Sequence, residues 1–283
     1  MQNWTIKELL KWTTDYFRDK DIKDARLEAE ILLARVLGKS RVYLYTNYDA
    51  PVSQEERSLF KEFIKRRSKN EPSAYITGSR EFMSLEFMVN PAVLIPRPES
   101  ELIVERAIGL FQGKTCSICD IGTGSGAIAV SLAYYLPRAR VYAVDISSAA
   151  LETARANAVR LEVEVEFREG DLLSPFLDKG NYFDLVVANL PYITAEEYQS
   201  LEPGVKDYEP VLALLASGDG LDIYRRLLAQ APLIMKEGAY IIFEIGCKQG
   251  RQALQIVQGM EEAQLIPDLA GRDRLIQARK GRI

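Results

Sequence analysis

Asn189-Leu190-Pro191-Tyr192 closes the apolar run Phe183-Asp184-Leu185-Val186-Val187-Ala188. These four residue types suit the holding of a planar amino group. The Asn189 side-chain carbonyl can accept one N–H, and the Leu190 backbone carbonyl a second. Pro191 stiffens the turn, because its ring fixes φ and it has no N–H to compete. Tyr192 can cover one face of a flat group. A strand followed by an ordinary Asn/Pro turn uses the same residues, so the rest of the chain has to decide between the two readings.

Three more apolar runs end in polar groups. The first ends in Asp120-Ile121-Gly122-Thr123-Gly124-Ser125-Gly126, and a helix begins at Ala127-Ile128-Ala129-Val130. Glycines let a backbone turn sharply and approach a ligand closely. The spacing is G-x-G-x-G, not the dinucleotide G-x-G-x-x-G, and an acid precedes the first glycine by two residues. A carboxylate there disfavours a pyrophosphate and favours an amino group or a cationic sulfonium. The second run ends at Asp145, beside Ile146, where an acid hydrogen-bonds ribose hydroxyls in such sheets. The third is followed by Gly170-Asp171-Leu172. Asp171 there can accept from an adenine amino group, with Leu172 packed on the base. Asp145 and Asp171 each remain readable as helix caps. Four strand ends in register, all at the carboxyl edge, predict a bound nucleoside.

The elements that must position these groups alternate. Strands are expected near 116–121, 140–145, 163–168, 183–188, 238–244 and 274–279, and helices near 125–136, 148–160, 219–235 and 248–260. This rhythm predicts an α/β fold with a parallel, doubly wound sheet. Upstream, residues 5–19, about 22–37, a short piece at 41–46 and 53–69 read as helices. Thr5-Ile6-Lys7-Glu8 and Ser53-Gln54-Glu55-Glu56 have capping-box form, and Gly38 stops the second helix. They predict a small all-helical domain with no residues suggestive of chemistry. Between the two lies an expected β-hairpin, with strands at 82–89 and 93–95 and a turn at Asn90-Pro91. Arg97, Pro98 and Glu99 follow. They read either as a rigid helix entry, with Glu99 or Ser100 as cap, or as the mouth of a site.

Composition excludes several chemistries. The 283 residues contain no histidine, which removes Ser-His-Asp and Cys-His catalysis and the commonest zinc ligand; no metal site is expected. Cys116 and Cys119 form a C-x-x-C within a strand, so they point to opposite faces and read as buried thiols. Cys247 also reads as structural. The net charge of −4 divides into +3 over residues 1–73 and −7 over the remainder, with no dense basic run of the kind that marks stable nucleic-acid binding. No apolar run is long enough to span a membrane, and the N-terminus lacks a signal-peptide pattern. A cytoplasmic protein is expected.

The pattern resembles class I S-adenosylmethionine-dependent methyltransferases, with Asp120 and the glycine loop matching their cofactor loop and Asp145 their ribose acid. It resembles more closely the HemK/PrmC family of release factor glutamine N5-methyltransferases. That likeness runs through Ala25-Arg26-Leu27-Glu28-Ala29-Glu30, Tyr75-Ile76-x-Gly78, Val93-Leu94-Ile95-Pro96-Arg97-Pro98-Glu99 and Asp207-Tyr208-Glu209-Pro210. It continues through Asp219-Gly220-Leu221-Asp222-x-Tyr224-Arg225, Glu244-Ile245-Gly246 with Gln249-Gly250, and Ala270-Gly271-Arg272-x-Arg274. One departure is clear: the family usually has Asn-Pro-Pro-Tyr, and here the second residue is Leu190. Ser100 stands where the family commonly has Thr.

The resemblance implies a Rossmann-like seven-stranded sheet and three segments: a helical domain at 1–73 that docks the release factor, a hairpin linker at 74–96, and a methyltransferase domain at 97–283. It implies methyl transfer from S-adenosyl-L-methionine, giving S-adenosyl-L-homocysteine, to the Gly-Gly-Gln glutamine of class 1 peptide-chain release factors. Asn189, Leu190, Pro191 and Tyr192 would form the catalytic turn. Asp120, Gly122, Thr123, Gly124, Ser125, Gly126, Asp145, Ile146, Asp171, Leu172 and Asn189 would hold the cofactor, in a monomer. The alternative is a DNA or RNA methyltransferase acting on an exocyclic amine, adenine N6 or guanine N2. Leu190 is expected to matter through its carbonyl, so Leu190→Pro should be nearly silent.

Overall fold

The structure is a computed structural model and describes residues 4–178 and 182–281. The chain forms two compact units. One is helical, runs to Gly78 and takes in Glu202–Tyr208; the other starts at Ser79 and resumes at Glu209.

The helical unit consists of Ile6–Arg18, Ala25–Leu37, Arg41–Thr46, Gln54–Arg67 and Ser73–Thr77. Both expected capping boxes form, Thr5 with Glu8 and Ser53 with Glu56. Each satisfies two amides that a helix start leaves without partners. Gly38 ends the second helix in the left-handed conformation at φ 60°. Phe17, Leu32, Leu33 and Phe60 fill the centre. The Glu30 carboxylate is buried but accepts from Arg26 at 2.5 Å, Arg41 at 2.9 Å and Tyr45 at 2.5 Å.

The second unit opens with a hairpin, β1 (Ser79–Phe82) and β2 (Leu85–Met88). It lies earlier than the sequence suggested. Its turn is Met83-Ser84, where both residues have positive φ, 50° and 57°. That is the backbone a tight hairpin needs, but here no glycine or asparagine advertises it. The segment Val93–Ile95 is not a strand.

A seven-stranded sheet follows: β3 (Cys116–Ile121), β4 (Ala139–Asp145), β5 (Val165–Glu169), β6 (Phe183–Ala188), β7 (Met235–Glu244), β8 (Glu261–Pro267) and β9 (Asp273–Arg279). The spatial order is β5-β4-β3-β6-β7-β9-β8. The first five strands pair in parallel, while β9 runs antiparallel to β7 and β8. β8 was not foreseen because it is an edge strand whose first four residues are exposed, so it lacks the apolar signature of its neighbours.

Apolar side chains leave both faces of the sheet. Cys119, Ile121, Val186, Ala188, Ile241 and Phe243 pack on one side against Tyr224 and Leu227 of the helix Asp222–Ile234. Ile118, Ala143, Val187 and Ile242 pack on the other, against the helices Glu101–Phe111 and Ala127–Tyr135. The two thiols of the C-x-x-C accordingly fall in opposite layers, and burial pushes Cys116 up to about 11. Cys247, in contrast, is exposed, because it lies beyond the end of β7.

Side chains two apart share a face. Asp120 therefore follows Ile118, Asp145 follows Ala143, Asn189 follows Val187 and Glu244 follows Ile242, all toward the same layer. The chain order also reverses direction between β3 and β6. A crevice at the carboxyl ends is the expected consequence.

Candidate active site

The crevice is a cavity of about 310 Å³, within the range of small-molecule sites. Its wall includes Gly122, Thr123, Gly124, Ser125, Asp145, Ile146, Asp171, Leu172, Asn189, Leu190, Pro191, Arg97 and Ser100. Asp120, Gly126, Tyr192, Pro98 and Glu99 are not part of that wall.

The glycine loop is held from below. The Gly122 and Thr123 amides donate to the Val144 carbonyl at 2.8 and 3.0 Å. A side chain at Gly122, where φ is 71°, would begin 2.6 Å from Leu190 Cδ2. Gly126 has φ 79°, and a Cβ there would lie 3.0 Å from that of Ala154, so the loop and the helix Ser148–Arg160 approach closely. Asn157 on that helix donates to the Ser125 carbonyl at 2.9 Å and binds both backbone groups of Met88, tying the hairpin to the loop.

Asp120 is fully buried and accepts from the Thr123 hydroxyl at 2.6 Å. Its Oδ1 has no hydrogen-bond partner among the described residues. Burial pushes its carboxyl up to about 7, an effect the Thr123 hydrogen bond only partly offsets. A carboxyl raised in the folded state binds its proton more tightly there than in the unfolded chain. Its contribution to stability therefore turns unfavourable as pH rises from the ordinary 3.8 towards about 7. Asp120→Asn is expected to raise the thermal unfolding midpoint of the ligand-free protein at pH 8. The difference should shrink as pH falls and vanish below the ordinary 3.8, where the carboxyl is protonated in the folded and the unfolded chain alike.

Asp145 accepts the Gly124 amide at 2.8 Å and the Ser147 amide at 2.9 Å, one on each carboxylate oxygen. Burial raises its pKa, and the two amides oppose the rise. Asp171 is ion-paired with Arg226, which also lines the cavity. Leu172 takes φ 53°, a strained value for a bulky residue, of the kind held at functional sites. An orphaned buried carboxylate oxygen, a loop that excludes side chains and a buried acid on the next strand together fit a nucleoside carrying a cationic amino-acid tail.

Beside this region, Asn189 Nδ2 donates to Ser100 Oγ at 2.9 Å. Ser100 Oγ in turn donates to Glu244 Oε2 at 2.6 Å. The Tyr192 hydroxyl donates to Glu244 Oε1 at 3.0 Å, and Arg274 lies 3.7 Å from that oxygen. Burial raises the Glu244 pKa, against the Ser100 hydrogen bond and the Arg274 charge. Asn189 Oδ1 accepts no hydrogen bond among the described residues. Glu209 accepts the Ile95 amide at 3.0 Å and the Arg97 guanidinium at 2.5 Å, fixing the segment before Ser100.

Two expectations need correction. Ser100 does not cap the helix that follows; its backbone is already helical and its side chain makes no capping bond, because its hydroxyl bonds Glu244 instead. Leu190 also acts through more than its carbonyl. Its amide donates to the Tyr224 hydroxyl at 3.0 Å, and its buried side chain joins the core. The single Tyr224 proton goes to the Glu244 carbonyl at 2.5 Å in preference to Leu190 O at 3.2 Å, so the latter keeps acceptor capacity. Leu190→Pro removes a buried hydrogen bond and part of a side chain. It is expected to lower the unfolding free energy by about 1–3 kcal/mol, measured by urea denaturation, with the carbonyl retained.

Sequence reasoning left Glu244, Tyr224, Arg226 and Glu209 without roles. All but Arg226 lie within segments that carry the family resemblance, but nothing in their local spacing announces the contacts.

The comparisons with known proteins agree with this architecture. Residues 8–78 match the family model of the PrmC N-terminal domain, and residues 112–268 match that of a methyltransferase domain. The release factor glutamine methyltransferase of Geobacter sulfurreducens is 41% identical over 280 residues, covering 98% of each chain. Its Bacillus subtilis counterpart is 40% identical over 283 residues, covering 97% of each. Among solved structures, a methyltransferase from Pyrococcus furiosus superposes with a TM-score of 0.52 at 18% identity, covering 71% of this chain and 91% of its own. The T. thermophilus 16S rRNA N2 G1207 methyltransferase, in complex with AdoMet and guanosine, also gives 0.52, at 16% identity and covering 71% and 49%. At such identities the two structures speak to the fold, which is that of the methyltransferase sheet.

Proposed function

The chain belongs to the release factor glutamine methyltransferase family, and on that premise we propose that it methylates N5 of the glutamine in the Gly-Gly-Gln motif of class 1 peptide-chain release factors, using S-adenosylmethionine. The observation that carries this reading is the free acceptor Asn189 Oδ1 on the cavity wall, beside the Leu190 carbonyl.

An amide nitrogen is a poor nucleophile because its lone pair is delocalised into the carbonyl. Asn189 Oδ1 and Leu190 O would accept its two N–H bonds, favour the build-up of positive charge on nitrogen and fix its direction of attack. S-adenosylmethionine supplies an electrophilic methyl group when bound. Asp145 would take the ribose hydroxyls, the Gly122–Gly126 loop with Asp120 beneath it the amino-acid tail, and Asp171 with Leu172 the adenine. Tyr192, anchored through its hydroxyl, would pack on the substrate amide. The substrate nitrogen becomes acidic once alkylated, so its proton can leave to solvent without a histidine base.

The helical unit is proposed to dock the release factor, in a cytoplasmic monomer that forms no stable complex with nucleic acid. No helix among the described residues is long and apolar enough to cross a membrane. The test is a competition: radiolabelled S-adenosylmethionine with an equimolar mixture of a purified release factor, ribosomal RNA and duplex DNA. Label on the release factor supports the proposal. Label on nucleic acid, with rates falling steeply as salt rises, would move the assignment to an exocyclic amine.

A further inference from the structure

Asn189 has two chemically opposite ends of nearly equal shape. Only the Oδ1 end can accept a substrate N–H, so something must choose between them. The choice is made along a hydrogen-bond chain that starts at a carboxylate. Ser100 has one hydroxyl proton, and at 2.6 Å it goes to the Glu244 carboxylate. Ser100 Oγ is then left with lone pairs only, and the group it meets at 2.9 Å must be a donor, Asn189 Nδ2. A flipped amide would set Oδ1 against Oγ with no proton between them.

We infer that Glu244, acting through Ser100, sets which end of the Asn189 amide faces the substrate. Both are positioning residues, and the role rests on the glutamine-amide reading above. The same carboxylate receives the Tyr192 hydroxyl at 3.0 Å, so it holds both ends of the Asn-Leu-Pro-Tyr turn. The backbone carbonyl of Glu244 is tied to Leu190 through Tyr224, which fixes the distance between the two strand ends. Ser100 is withheld from helix capping, the local role its position would otherwise give it.

Glu244→Gln keeps the shape but introduces a donor. The Tyr192 hydroxyl donor and the Arg274 charge favour the Gln oxygen on their side, so Nε2 faces Ser100 Oγ and its donation there reverses the chain. Ser100 then donates to Asn189 Oδ1, and Nδ2 turns to the substrate, where donor meets donor. Glu244→Gln is expected to lower kcat by about 10–100-fold, with the release-factor KM and the S-adenosylhomocysteine Kd from calorimetry changed by less than about twofold. Ser100→Ala should fall in the same direction, and Ser100→Thr should recover most of the loss because it keeps the hydroxyl.

The Asn189 side-chain amide resonances, assigned by their absence in Asn189→Asp, read the orientation without any turnover. They should shift in Glu244→Gln and in Ser100→Ala, and stay near wild type in Ser100→Thr. Unshifted resonances in Glu244→Gln, or wild-type kcat in both Glu244→Gln and Ser100→Ala, would overturn the inference. Absence of release-factor methylation by the wild-type protein would instead count against the proposed function, and the resonances would still decide the relay. Should Glu244→Gln fail to fold, the Ser100 pair carries the test alone.

Discussion

Asn189→Ala is expected to lower kcat on a release factor by about 10²–10³-fold while leaving S-adenosylhomocysteine affinity within a few fold. The magnitude is that found when one fixed polar group facing developing charge is removed from an active site. The asymmetry between the two effects follows from position. Asn189 reaches the crevice from β6, and among the described residues its side chain bonds Ser100 alone. The glycine loop and Asp145 are held by other groups, Val144 O and the Gly124 and Ser147 amides, and these survive the truncation. Asn189→Asp is the sharper variant. It keeps the volume and offers acceptors, yet it places a carboxylate oxygen against Ser100 Oγ, whose proton is committed to Glu244. It should therefore also lose most of kcat. Single-turnover kinetics beside calorimetry with S-adenosylhomocysteine measure both quantities.

Asp145→Ala should have the largest effect on the cofactor, raising the Kd for S-adenosylmethionine by about 10–100-fold. Loss of the proposed ribose contact, at about 1.5–3 kcal/mol for one hydrogen bond to a charged group, accounts for that range. The substitution also releases the Gly124 and Ser147 amides, and Gly124 belongs to the loop that lines the tail region. Part of the loss is therefore loop disorder, and the thermal midpoint should fall as well. Because burial raises the Asp145 pKa above the ordinary 3.8, wild-type affinity should decline as pH falls through that raised value. Asp145→Ala should lack this acid dependence. Calorimetric titrations from pH 8 downward, run well below the midpoint of the variant, test both statements.

The parts of the fold that were legible in the sequence are those where burial and local geometry coincide. β3 and β6 are buried on both faces, so each appears as a short apolar run, and both lie where the run placed them, Cys116–Ile121 and Phe183–Ala188. The helix Ser148–Arg160 likewise matches, although its cap is Ser147 and not Asp145, which the sequence also left readable as a cap. β8 escaped because an edge strand does not need an apolar face, and Glu261–Gln264 has none. The hairpin turn escaped because Met83 and Ser84 adopt positive φ under tertiary constraint: the Met83 amide is held by Glu101 at 2.7 Å and its carbonyl by the Tyr135 hydroxyl at 2.6 Å.

The site divides in the same way. Gly122–Gly126, Asp145 and Asn189 occupy strand ends, which a sequence marks by the stop of an apolar run. The relay behind Asn189 has no such mark. Ser100 and Asn189 are 89 positions apart, and Ser100 and Glu244 are 144 apart. Only the adjacency of β3, β6 and β7, with the helix Glu101–Phe111 over one face, brings them together. Serine before a helix has an ordinary local use as a cap, which is the one the sequence suggested, and Glu244 at its strand end carried no suggested use at all.

The measurement that tests the central claim most directly is site mapping of the transferred methyl group. A purified class 1 release factor and its Gln→Ala variant in the Gly-Gly-Gln motif are each incubated with this protein and labelled S-adenosylmethionine, then digested and read by mass spectrometry. One methyl group on the side-chain nitrogen of that glutamine, absent from the variant, is the predicted result. Equal labelling of both proteins, or label at another residue, would contradict it.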